Sequence, residues 1–441
     1  MTAEIAVLNK LAVALAADSA VTLKSPFKTK IFNTVNKLFS LSKYHPVGIM
    51  VHGNSEFMGV PWEVIIKTYR EKLGSTDFPS LKGYLDDFVN SLEANRVLNL
   101  DYEEKQFVLF TVKSYFRFVR RSIDDQVTRA IKSQSKITDE GVTKAASEVL
   151  DGELSRMRGP IQLSSLPANH AEAMLTAHGA DIDKLIGESF EKLPISTAAA
   201  DQLRELAVCL FTRDSFPLAQ YSGVVVAGFG TADTYPSLES IRIHGRTAGK
   251  LKSKMDDPTA IRPEMEAAIV PFAQRDEVDA FMTGINPKYS EAMNSFLHEL
   301  LAAYPESIAK TLSGLSEPEK ATFIEKWKKV SEESLAGFKK EMEAFVAKVF
   351  ADPVISAVAA LPKDELASMA ETLVSLTSFK RKVTLEEEQT VGGPIDVAVI
   401  SKGDGFVWIK RKHYFSPELN PHFMIQYFKR GSAEAGHGSQ E

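Results

Sequence analysis

Thr2 stands directly behind the initiator methionine. Once Met1 is removed, as is usual before a small residue, it carries a hydroxyl nucleophile and a free α-amine on one residue. A terminal amine titrates near ~7.7–8.0 when unperturbed, so it can take a proton close to neutral pH. An N-terminal threonine is activated in this way. Asp18 closes the apolar run that follows, in which Ile5-Ala6-Val7-Leu8 and Leu11 to Ala17 flank Asn9-Lys10. That pattern predicts a β-hairpin with a polar turn. Lys37 opens a second apolar segment, which ends in His52-Gly53, and Glu386-Glu387-Glu388 stands shortly before Gly392-Gly393-Pro394. Taken singly, each has an ordinary reading. Asp18 is a hairpin-closing residue, Lys37 a solvated strand-end charge, His52 a packed strand histidine and the acidic run a solvated face.

The chain has 441 residues, 44% hydrophobic and 25% charged, the composition of a globular protein with a sizeable core. A net charge of -6 gives no reason to expect nucleic acid, and the basic clusters near Arg117–Arg121 and Lys410–Lys412 read as solvated faces. Cys209 is the single cysteine, which excludes a disulfide framework or multi-thiolate metal site and fits a reducing, cytoplasmic compartment. The nine histidines show no HExxH spacing, and no cofactor is expected. A signal peptide ending near Ala17 competes for the N-terminus, but its apolar run is short and Glu4 precedes it. No run approaches the ~18 apolar residues of a membrane span.

Hairpin signals recur in four places: residues 3–17, 35–53, 223–243 and 395–409. Each sets apolar, β-branched runs around a polar turn or connection. Helical periodicity fills 56–215 and 277–380, with Phe107, Phe110, Val112, Tyr115, Phe118 and Val119 reading as a packed helix face. Two sheets covered by helices account for this order, an α+β pattern shared by several folds.

The four hairpins together resemble proteasome β subunits and the bacterial HslV peptidase, which are N-terminal-nucleophile hydrolases. Thr2 and Asp18 resemble the opening threonine and the acid sixteen positions later. Asn36-Lys37-Leu38-Phe39 with Val47 to Gly53 resembles the lysine strand and the next strand. Val225 to Phe229 with Tyr235-Pro236-Ser237-Leu238 resembles the second-sheet hairpin, and Gly392 to Ile400 the closing Ser-Gly-Gly segment. The resemblance covers about 100–130 residues.

It implies a four-layer αββα sandwich: one domain over 1–430, built from 1–60, 216–285 and 375–415. Helical insertions occupy 61–215 and 286–374, and a disordered tail 431–441. It also implies roles. Thr2 attacks, Lys37 supplies a positive charge, Asp18 orients that lysine, Gly53 donates to the oxyanion, and Glu388 and Gly392 support. The pattern departs at Val391, where a serine is expected, and at Ile269 to Gln274, where a Gly-Ser-Gly is expected.

Two functions follow as expectations. One is a threonine hydrolase acting on peptide or protein amide bonds as a homo-oligomer, with an ATPase or other protein partner and no nucleic acid or membrane. The other is a noncatalytic scaffold that binds partners through its helical insertions.

Overall fold

The computed structural model describes residues 3–24, 29–95, 98, 100–134, 138–191, 193–215, 221–314, 316–384, 391–422 and 425. Thr2, Glu388 and the tail 431–441 lie outside them. In chain order come β1 (Ala3–Asn9), β2 (Ala12–Ala17), β3 (Val21–Lys24), β4 (Thr29–Phe32), β5 (Leu38–Ser40), β6 (Val47–Gly53), β7 (Glu56–Phe57) and β8 (Val60–Pro61). Helices α1 (Trp62–Leu73), α2 (Leu81–Ala94), α3 (Asp101–Gln134), α4 (Asp139–Arg158), α5 (His170–Phe190) and α6 (Thr197–Thr212) follow. Next are β9 (Ser222–Gly228), β10 (Ser237–Thr247), β11 (Lys250–Met255), β12 (Thr259–Ala260) and β13 (Ala267–Ala273). The chain continues through α7 (Asp276–Thr283), α8 (Pro287–Thr311), α9 (Glu317–Val346), a π-helical turn, α10 (Asp352–Ala360), α11 (Lys363–Val383), β14 (Asp396–Ser401) and β15 (Gly405–Lys410).

Helices and antiparallel sheets therefore occur as expected, and the chain divides into two compact units. The first comprises Met1–Val35, Ala260–Ser401 and Val407–Pro421; the second, Asn36–Thr259, Lys402–Phe406 and His422–Glu441.

In the first unit a five-stranded sheet runs in the order β13-β1-β2-β14-β15. Strands β1 and β2 are buried along their whole length, which explains a nearly continuous Ala/Val/Ile/Leu sequence rather than alternation. Lys10 and Leu11 make the hairpin loop. Asn9 stays in β1 and shapes the turn through its side chain: Oδ1 accepts the Leu11 and Ala12 N–H groups at 2.9 and 3.3 Å. Its Nδ2 donates to the carbonyls of Val358 and Leu361 at 3.0 and 2.8 Å, which ties the loop to the end of α10.

The sequence reading does not anticipate β13, because Pro271 interrupts it. An edge strand tolerates that proline, and β13 pairs antiparallel with β1 with Pro271 opposite Ile5. Helix α11 packs Leu366, Ala367, Ala370, Leu373 and Val374 into a core with Ile5, Val7, Ala14, Ala16, Val397 and Val399. The alanines on helix and strands let the two backbones approach closely.

In the second unit a sheet runs in the order β11-β10-β9-β6-β5. Trp62, Ile66, Tyr69, Tyr84, Leu85 and Phe88 of α1 and α2 share a core with Ile49, Val51, Val224 and Val226. Helices α3 to α6 build a second core of their own. On α3 the buried apolar residues are Val108, Val112, Tyr115, Phe116, Val119 and Ile123, whereas Phe110 and Phe118 are 63% and 40% exposed. Four of the six residues read as the packed face, Phe107, Val112, Tyr115 and Val119, therefore do pack, and Phe110 and Phe118 do not. Lys252 of β11 is fully buried, and its Nζ donates to the carbonyls of Leu210 and Ser215 at 2.7 and 2.5 Å. Burial pushes its ammonium down to about 7.

Among the described residues no helix is long and apolar enough to cross a membrane.

Candidate functional site

Asp18 follows the last residue of β2 and is 1% exposed. Its Oδ1 accepts the N–H of Ala3 at 3.1 Å, and its Oδ2 accepts the N–H groups of Ala20 and Gly392 at 3.2 and 2.9 Å. Its own N–H donates to the Ala3 carbonyl at 3.1 Å. One carboxylate therefore joins the first residue of β1, the chain leaving β2 and the segment entering β14. Hydrogen bonds to an ionised acceptor are stronger than neutral ones. Residue 3, the neighbour of Thr2, is held at both its N–H and its C=O.

The Gly392-Gly393-Pro394 segment is fixed from the same side. The Gly392 carbonyl accepts the Ser19 N–H at 3.1 Å, and Ser19 Oγ donates to the Pro394 carbonyl at 2.5 Å. Gly393 has φ +78°, and a Cβ there would lie 2.6 Å from the Asn33 carbonyl oxygen. No side chain fits. Val391, where the resemblance expects a serine, is 1% exposed and belongs to the α11 core. Ile269 to Gln274, where it expects a Gly-Ser-Gly, runs along and just past edge strand β13.

In the second unit, Lys37 precedes β5 and is 4% exposed, and its carbonyl accepts the Val51 N–H at 2.9 Å. His52 is also enclosed, at 9% exposed. Burial, with the charge of Lys37 adding to it, pushes its imidazole down to about 4, so it is neutral at pH 7. The ring lies over Gly223, its register partner, where a Cβ would come within 2.0 Å of Nε2. Gly53 ends β6 with φ +83°, and a Cβ would sit 2.3 Å from the Tyr221 carbonyl oxygen. The structure thus brings Asp18 together with Gly392, and Lys37 together with His52, while Gly53 packs against Tyr221. Ser19 and Gly223 escape the sequence reading, since only the pairing of distant segments shows what they touch. Among the described residues no cluster of three or more His, Cys, Asp or Glu is disposed to hold a metal ion.

The His52 environment carries a pH prediction. The folded pKa lies below the unfolded value of about 6.5, so the unfolded chain binds more protons between the two, and stability falls as pH drops through that window. Between pH 7 and pH 5 the wild-type protein is expected to lose about 2 kcal/mol more than His52→Gln, measured by urea unfolding. Equal losses would place the imidazole in water.

No protein-family model matches the chain, and no curated protein matches it. Among solved structures it is similar to an Anbu Gly-1 mutant from Hyphomicrobium sp. strain MC1, at 8% identity and TM-score 0.26, with 100% of this chain and 99% of that chain covered. It is also similar to Anbu, an ancestral beta-subunit, from Yersinia bercovieri, at 10% identity and TM-score 0.22 with the same coverage.

These comparisons correct the expected kinship with proteasome β subunits and HslV. The solved structures are Anbu proteins, and the likeness is a distant proteasome-like one that assigns neither fold nor activity. The physical reason lies in the quoted segments. A hairpin buried on both faces demands small and branched apolar residues in any protein, and Gly393 is required locally by the Asn33 carbonyl.

Proposed function

We propose that the chain is an N-terminal threonine hydrolase acting on amide bonds in peptides or proteins. After Met1 is removed, the Thr2 hydroxyl attacks the substrate carbonyl carbon while the α-amine takes its proton. The C–N bond breaks, the amine product leaves with that proton, and water then hydrolyses the ester left on Thr2. The observation that carries this reading is the Asp18 carboxylate, bound to the N–H of Ala3 and of Gly392. A nucleophile at a free chain end needs such an anchor, because catalysis demands fixed geometry and a terminus frays by default.

Lys37 is assigned the positive charge that favours the alkoxide, and Asp18 the orienting acid, roles that rest on the sequence pattern. Gly53 is assigned the oxyanion-donating N–H, and Gly392 and Glu388 supporting roles. The test is intact-mass and peptide-mapping spectrometry after incubation with a peptide vinyl sulfone or β-lactone. The expected result is a chain beginning at Thr2 with one adduct on that residue. A retained Met1, or an adduct elsewhere, overturns the proposal. The scaffold reading draws on one observation, the exposed apolar residues of α8 and α9, and a retained Met1 would favour it.

A further inference from the structure

Helices α8 and α9 pack against each other as a hairpin in the first unit, with Lys328 bridging to Glu306 at 2.6 Å. Pro305, Ala309 and Leu335 are the buried residues along these two long helices. On α8, Tyr289, Met293, Phe296, Leu300 and Tyr304 recur at spacings of three and four and form one stripe. On α9, Phe338, Met342 and Phe345 follow at spacings of four and three, and Trp327, eleven residues before Phe338, falls on the same helix face. These nine side chains are exposed, from 38% for Met342 to 60% for Phe296. The opposite side is polar, a groove formed by Ser290, Glu291, Asn294, His298 and Glu299 of α8 with Lys339 of α9. The helical positions of these groove residues place both stripes on the side away from it. The hairpin therefore has one polar and one apolar face.

We infer that the apolar face of the α8–α9 hairpin is a two-fold interface with a second copy of this chain, closing a four-helix bundle. Two observations select that occupant. Nine half-exposed side chains, at ~150–250 Å² for a large aromatic, offer roughly 800 Å², the area one partner contributes to a standard interface. The charges argue against an anionic membrane, since α8 carries two lysines against three glutamates and α9 six lysines against seven. A two-helix hairpin with one apolar face covers it most simply by pairing with itself, and two-fold dimers are the commonest closed assembly.

The test is light scattering on the full-length protein during gel filtration at about 10 µM. The wild-type chain of 48.6 kDa is expected at twice that mass or an even multiple. Phe296→Asp with Phe338→Asp should halve the mass while far-UV circular dichroism stays unchanged. Leu300→Lys with Met342→Lys is the second variant pair and should do the same. His298→Ala with Glu299→Ala, in the polar groove, should leave the mass as it is. A monomeric wild type, or full mass retained in either apolar-face variant, overturns the interface. So does an oligomer lost equally in the groove variant. Thr2→Ala should assemble normally, so this outcome is separate from that of the hydrolase reading.

Discussion

Thr2→Ala is expected to lower amide hydrolysis by about 10⁴-fold or more, the scale seen when a hydrolase loses its nucleophile. The variant keeps a small second residue, so Met1 is still removed and the α-amine remains. Only the attacking oxygen is gone. Thr2→Ser restores an oxygen at the same place and should recover most of the activity, which separates lost chemistry from lost structure. The measurement is release of a fluorogenic amine from short peptide amides, with the unfolding midpoint of each variant taken in parallel. Wild-type rates in Thr2→Ala would remove this residue from the reaction, whatever else the protein does.

Asp18→Ala should have the largest effect on stability. The substitution strips the acceptor from the N–H groups of Ala3, Ala20 and Gly392 at a site 1% exposed. Each buried donor left without a partner costs about 1–3 kcal/mol, so the sum is about 3–5 kcal/mol once some relaxation is allowed. That is a large part of the ~5–15 kcal/mol that holds a typical domain together. Urea unfolding measures it. Asp18→Asn keeps one accepting oxygen but turns an NH₂ group toward N–H donors, so it should fall between Ala and wild type. A loss below 1 kcal/mol in Asp18→Ala would mean that water reaches these donors and that the carboxylate is not the anchor it resembles.

The sequence carries the hairpins well because their burial leaves no freedom in residue type. Every position of β1 and β2 is enclosed, and the run of alanines and branched residues announces this directly. It carries the turn less well. Asn9 reads as a turn residue, yet its amide bonds both the loop and α10, so the polar side chain sits in the strand. Strand β13 is hidden because proline argues against a strand until an edge position excuses it. On α3 the apolar spacing finds most of the packed face, Phe107, Val112, Tyr115 and Val119, but also takes in Phe110 and Phe118, which look outward, because a three- or four-residue step does not separate the edge of a helix face from its centre.

The candidate site is split in the same way. Asp18 is visible as a lone acid closing an apolar run. Its partners are not, because Gly392 follows 374 residues later. The neutrality of His52 depends on burial and on the nearby Lys37, which are properties of the folded sheet and not of the dipeptide His52-Gly53.

The grip of Asp18 on Ala3 also sets an order of events during synthesis. An aminopeptidase must reach an extended chain end, and Ala3 is 2% exposed once β1 lies between β2 and β13. Gly392 leaves the ribosome 374 residues after Asp18. At ~5–20 residues per second this takes roughly 20 to 75 s. If Met1 is removed, as the hydrolase reading requires, the peptidase has tens of seconds before Gly392 can complete the Asp18 hydrogen-bond cluster. On the hydrolase reading, slow translation through α8 and α9 would raise the trimmed fraction without any change in the finished sequence.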